Sequence, residues 1–397
     1  MKRLKLLTAV CVMACVLAAC GSDEPENTIQ TIEAEPIETP APTSSEEPEP
    51  TAEPEPEHVA DTTIIQERVE VNGQMQSYLT GEWKDVNVVN RRPMAVMMPN
   101  NKAALPQYGI SQASIIFEAP VEGRITRLLA IYEDYDELDH IGPVRSARDY
   151  YIYEAMAYDA IFCNWGLAVP FCEEVLASDK IDNVSQAVSG IHNPSSEAFD
   201  RINRGSGYAQ EYTGYMFMDG YERAVQRHGY QTTYRDTFEQ AFTFANDGHR
   251  AEYSEAQDVT MIYPGGKSGS NSSGYGQANP WFEYNAEDGL YYRYEYSAKQ
   301  VDEMNGEQLT FSNVIFKVVE GAVHEPTSYD YLWFQVEGGG DAYIFTNGKM
   351  IRGTWSRSGD RNANIFYDQN GNEIIFNQGK TWICEIWDEY ENCIEYE

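Results

Sequence analysis

The sequence predicts an α+β protein, an N-terminal α/β part followed by a β-rich antiparallel C-terminal part. Three observations predict it. Between Met94 and Gly229, short apolar runs of strand length alternate with helix-like stretches. From Trp281 onward, nearly every apolar run has strand length or strand alternation. A Gly/Ser-rich stretch, Gly265 to Gly276, separates the two textures.

The first twenty residues precede the fold. Lys2, Arg3 and Lys5 lead into an apolar run, Leu6 to Ala19, that is too short to span a bilayer comfortably. The run ends in Leu17-Ala18-Ala19-Cys20, which closely resembles a bacterial lipobox. The resemblance implies a signal peptide over residues 1–20 and Cys20 as the acylated, palmitate-type anchor. The expected location is the outer face of the bacterial cytoplasmic membrane. The alternative is an ordinary secretion signal that happens to end at Cys.

Residues 21–66 read as a disordered acidic, Pro/Glu-rich tether. Gly21 to Asp61 holds 13 Asp and Glu, 8 Pro and no Lys or Arg, so little apolar surface is available to offset ordering entropy. Extended as polyproline II it would reach roughly 120 Å. An N-terminal α/β domain is expected over 67–255, the Gly/Ser-rich connector over 256–280 and the C-terminal β-rich domain over 281–397.

Within the first domain, "MAVMM", "SIIFEA", "RLLAIYE" and "AIFCNW" read as strands. "SARDYYIYEAMAYD" reads as a helix capped by Ser146, and "DGYERAVQRHG" as another stopped by Gly229. In the second, Asn347-Gly348 and Asn370-Gly371 lie between apolar runs, the strongest short hairpin signal.

The chain carries 28 Lys and Arg against 63 Asp and Glu, a formal charge of -35. Such a body repels nucleic acid and anionic surfaces except at a local basic site, and export removes it from nucleic acid altogether. No cofactor and no metal site is predicted. There is no GxSxG, HExxH or SxxK motif, and Gly266-Lys267-Ser268 has Met261 where a P-loop needs its first glycine. The folded part has four cysteines, Cys163, Cys172, Cys384 and Cys393. In an exported protein the two nine-residue spacings suggest Cys163–Cys172 and Cys384–Cys393 disulfides, with free buried thiols as the alternative.

The scarce cations are not spread evenly. Arg124, Arg127, Arg145 and Arg148 fall in one stretch with Glu118 and Glu122, at predicted strand ends and a helix start. A helix N-terminus with guanidinium forks suits phosphate or carboxylate, and the two glutamates could add a cation or acid–base function. A purely structural ion-pair network is the alternative.

The segment "RRPMAVMMPNNKAALPQYGISQASIIFEAPVEGRITRLLAIY", followed by "GPVRSARDYY", resembles the YerB-like lipoproteins, a bacterial family of unknown function. "LTFSNVIF", "GKMIRGTWSR", "FYDQNGNEI" and "GKTWI" resemble its C-terminal domain. The resemblance implies an envelope lipoprotein with two conjoined domains and supplies no activity. It departs at Cys163-Asn164-Trp165, where many relatives carry a His, and at the longer tail that brings Cys384 and Cys393 close in sequence. Two functions follow. The first is binding of a cell-envelope component, a cell-wall polymer or an envelope protein. The alternative is an enzyme of envelope polymer metabolism acting on a phosphorylated or carboxylated glycan.

Overall fold

The computed structural model describes residues 63–253, 256–269, 273–324 and 329–397, and the apolar runs of both halves join in one eleven-stranded sheet. The signal peptide, Cys20 and nearly all of the tether lie outside the described residues. The N-terminal half supplies β1 (Met94–Pro99), β2 (Ile115–Val121), β3 (Ile125–Tyr132), β4 (Ile161–Asn164) and β5 (Asn183–Ser185). The C-terminal half supplies β7 (Asn313–Val319), β8 (Gly338–Thr346), β9 (Lys349–Arg357) and β10 (Thr381–Trp387). Across the sheet the order is β9-β8-β7-β10-β2-β3-β1-β4-β5, with short strands beyond and beside β9. Strand β6 (Leu290–Glu295) belongs to a second, six-stranded sheet.

The period of two in the long strands sorts their side chains onto two covered faces. Ala95, Met97, Phe117, Leu129, Ile131, Ile315, Ile344 and Ile383 pack on one face. Met94, Val96, Met98, Ile116, Leu128, Phe316, Phe345 and Trp382 pack on the other. A strand buried on both faces reads as a continuous apolar run, which is how "MAVMM" and "SIIFEA" read. Asn347-Gly348 turns β8 into β9 with φ of 51° and 69°, the two positive values a two-residue hairpin needs.

The expected antiparallel pattern of the second half breaks at β10. It runs parallel to β7 on one side and to β2 on the other. Hairpin signals identify sequence neighbours, and nothing local identifies a partner 260 or more residues away, so this crossover was invisible. The Gly/Ser-rich stretch also carries a core residue. Tyr275 is fully buried, and its hydroxyl reaches the Glu118 carbonyl at 2.8 Å and the Glu385 carbonyl at 2.9 Å.

Three helices of nine or more residues flank the first half: α1 (Asp149–Ala157), α2 (Val169–Ala177) and α3 (Met218–His228). Helix α1 starts three residues after Ser146, the expected cap, and its N-cap position is Arg148. The reason is local. The Arg145 N–H donates to the Met97 carbonyl and the Ala147 N–H to the Gly166 carbonyl, which holds residues 145–147 extended. Helix α3 buries Met218, Tyr221, Ala224 and Val225 on one stripe and ends at Gly229 with φ of 71°.

Neither expected disulfide forms. Cys163, Cys172 and Cys384 are buried free thiols. Cys163 lies in the core on one face of the sheet and Cys172 in the core on the other, so the nine-residue spacing brings no approach. Cys384 faces the Glu118 carboxylate at 3.8 Å, while the Cys393 thiol contacts Asn392 at 3.6 Å.

Candidate anion-binding site

Strands β1, β4 and β5 are mutually parallel and end together at Pro99, Asn164 and Ser185. Open α/β sheets hold ligands outside such carboxyl ends. The segment after Val144 crosses this edge: the Trp165 N–H donates to the Arg145 carbonyl at 3.0 Å, so Arg145 is pinned between β1 and β4.

Arg127 enters the same edge from β3, where it pairs with Pro99. Its side chain is buried, and Nη1 donates to the Ser146 carbonyl at 2.6 Å. Among the described residues it makes no ion pair. Burial, then the Arg148 and Arg145 guanidinium groups, push its pKa down to about 9, with Glu122 offsetting them in part. It therefore remains a cation at neutral pH, in a region of positive potential and without a carboxylate of its own.

Arg145 is half-committed. Nη2 meets Glu211 at 3.1 Å and Nη1 the Glu211 carbonyl at 3.3 Å, while Nε is buried with no acceptor. Tyr212 lies under this guanidinium at 5.5 Å and receives a hydrogen bond from Asn101 at 2.6 Å. Arg201 stacks on Trp165 at 4.7 Å, next along the edge. Sequence reasoning missed Arg201, Asn101 and Tyr212, because each comes from a short element outside the arginine-rich stretch, with no local signal that joins it to the cluster.

Of the other predicted residues, Arg148 and Glu122 stay beside Arg127 but are committed to each other, and the rest lie apart. Arg148 is fully matched by a bidentate pair with Glu122, 2.7 Å from Nε and 2.5 Å from Nη2, which raises its pKa. Arg124 sits at the exposed tip of the β2–β3 hairpin with φ of 61° and makes no ion pair among the described residues. Glu118 is a correction. It lies across the sheet from Arg127, since Arg127 pairs with Ala119 and successive strand residues face opposite sides. There it accepts from Asn100 at 3.1 Å, Thr126 at 2.7 Å, Arg293 at 2.7 Å and Trp382 at 3.2 Å, with no exposed surface. It neither holds a cation beside the arginines nor serves them as an acid or base.

A second buried network lies on the α1 side of the sheet. Lys317 of β7 contacts Glu154 of α1 and lies 3.6 Å from Glu385 of β10, all fully buried. Burial drives the Glu385 carboxyl well above the ordinary range, while Lys317 and Arg357 hold Glu154 below it despite its burial. Ser195, His228 and Asn193 have hydrolase-like spacings of 2.8 and 2.9 Å. Ser195 is completely buried, so no substrate reaches its hydroxyl. Among the described residues no group of three or more acidic, His or Cys side chains could hold a metal ion, and no helix is long and apolar enough to cross a membrane.

The two halves thus form one α+β body with a counter-ion-poor arginine at the carboxyl-end edge of its parallel strands. Residues 79–240 match the family described as the N-terminal domain of a protein of unknown function (DUF3048), and residues 272–383 match its C-terminal domain. The chain belongs to this family. It is 29% identical over 310 residues to YerB of Bacillus subtilis (strain 168), named as a candidate lipoprotein, covering 78% of this chain and 86% of that protein. A crystal structure of YerB from Bacillus subtilis shares the fold with a TM-score of 0.64 at 22% identity, over 81% of this chain and 99% of that one.

Proposed function

We propose that this is an extracytoplasmic lipoprotein, anchored by an acylated Cys20, that binds an anionic component of the cell envelope at the carboxyl-end edge of β1, β4 and β5. The component is a polymer or glycan bearing phosphate or carboxylate. The observation that carries the reading is Arg127, a buried cation with one carbonyl contact and no ion pair among the described residues. A charge held this way costs stability unless a ligand compensates it.

The test is ligand-dependent thermal stability of residues 62–397 with pyrophosphate, teichoic-acid fragments and muropeptides. A ligand at a hundredfold over its Kd adds about 2.7 kcal/mol. The reading requires a shift that disappears in a folded Arg127→Met variant. If no anion shifts the protein, the search moves to envelope proteins. The anchor is tested separately: Cys20→Ser moves the full chain from the membrane to the soluble fraction.

A further inference from the structure

A concavity lies at the opposite end of the parallel strands, near the starts of β1 and β4. It has a volume of about 490 Å³. That is within the usual size for a small-molecule site, roughly 300–1,000 Å³. Helix α3 contributes Tyr221 and Val225 to its wall, Tyr135 and Tyr230 flank them, and Arg91 and Arg92 lie beside these. The rings are fixed from behind. Tyr135 and Tyr221 meet edge to face at 5.9 Å, Tyr230 stacks on His228 at 4.9 Å, and its hydroxyl donates to the Asn183 carbonyl at 3.1 Å. The wall is therefore apolar, aromatic and preformed.

The polar side of the cavity has a definite sense. Arg91 lies over the Tyr135 ring at 3.7 Å, donates to Asp136 at 2.6 Å and to the Glu133 carbonyl at 3.0 Å. Arg92 donates to the Asp159 carbonyl at 2.7 Å and pairs with Asp182 at 2.5 Å. Both charges are thus already matched by protein carboxylates, and Glu222 adds another at the wall. Arg91 Nε and Arg92 Nη2 are enclosed by protein and closed to the cavity. The rim is therefore charge-balanced, and an extra negative charge would meet an acidic surround.

We propose that this cavity is a binding site for an uncharged acyl compound, a hydrocarbon chain ending in an ester or amide carbonyl. The chain lies on the tyrosine and Val225 wall, and the uncharged head sits at the charge-balanced rim of Arg91, Asp136 and Glu222. The site is separate from the Arg127 edge and does not depend on an anion binding there.

Octanamide and octanoate, which share a chain and differ in head charge, are the probes, titrated calorimetrically into residues 62–397. Octanamide should bind saturably with 1:1 stoichiometry and at least tenfold more tightly than octanoate. Gln226→Trp, which fills the cavity from its exposed mouth, should weaken octanamide tenfold or more without lowering Tm. Val225→Trp fills it from the wall and serves as a second variant if folded. No saturable octanamide binding overturns the proposal, as does unchanged binding in a folded Gln226→Trp protein. Equal affinity for octanoate overturns the assignment of an uncharged head.

Discussion

Glu118 of β2 accepts a hydrogen bond from Arg293 of β6 at 2.7 Å, and solvent reaches neither side chain. The two residues belong to different halves of the family architecture, 175 positions apart. On the other face of the sheet Lys317 and Glu154 repeat the arrangement, again one residue from each half. Buried charges of this kind are safe only while both members are present.

Removing one member should therefore be severe. Glu118→Ala leaves Arg293 buried without its counter-ion and should cost about 3–5 kcal/mol. Urea unfolding monitored by tryptophan fluorescence checks this. Residues 67–255 produced alone should fail to give a cooperative transition, because they leave one edge of β2 open and Glu118 without Arg293. A cooperative transition in that fragment would show that the halves fold independently.

Arg127 should behave in the opposite way. Arg127→Met removes an unmatched cation and one hydrogen bond worth about 1 kcal/mol. The variant should match the wild type in stability within about 1 kcal/mol, or exceed it. Arg148→Met strands Glu122 and should lose about 3 kcal/mol. Thermal unfolding of the two variants side by side distinguishes a ligand-facing arginine from a structural one.

The stability of the protein should respond to Glu295. Burial, with the Glu118 charge adding to it, lifts this carboxyl to about 8 although Arg293 pulls the other way. Between about 4.5 and about 8 the folded chain holds the proton more tightly than the unfolded chain. That contribution is full at the acid end and is lost as pH rises through the window. Glu295→Gln mimics the protonated form. Its stability relative to wild type should grow from pH 5 to pH 8, on the order of 2–4 kcal/mol. A constant difference across the window would refute the assignment.

Cys163, Cys172 and Cys384 should be inert in the folded protein. Burial raises each thiol above its ordinary pKa, to about 12 for Cys172, so little thiolate forms. Iodoacetamide followed by mass spectrometry should label all three only after denaturation.

The strands were legible because burial on both faces writes an apolar run directly into the sequence, as in "MAVMM" and "SIIFEA". Helix α3 was legible from its stripe and its Gly229 stop. Helix α2 was not, because its N-cap position is Ala168, which offers no side-chain capping signal. The cluster of arginines was visible as composition, but its division was not. Glu118 and Arg127 part company because residue parity across a strand pair assigns them to opposite faces, and parity needs the register of β2 against β3. Tyr275 was masked by the glycines and serines around it.

The place of β10 has a consequence for biogenesis. This strand is the central plank of the long sheet, wedged between β7 and β2, yet it is made after every other strand of that sheet. Without Thr381–Trp387, both flanking strands present open edges, the surfaces that recruit stray β-segments and chaperones alike. Closure of the long sheet therefore waits on its last long strand, and a chain that stops short carries its own mark of incompleteness.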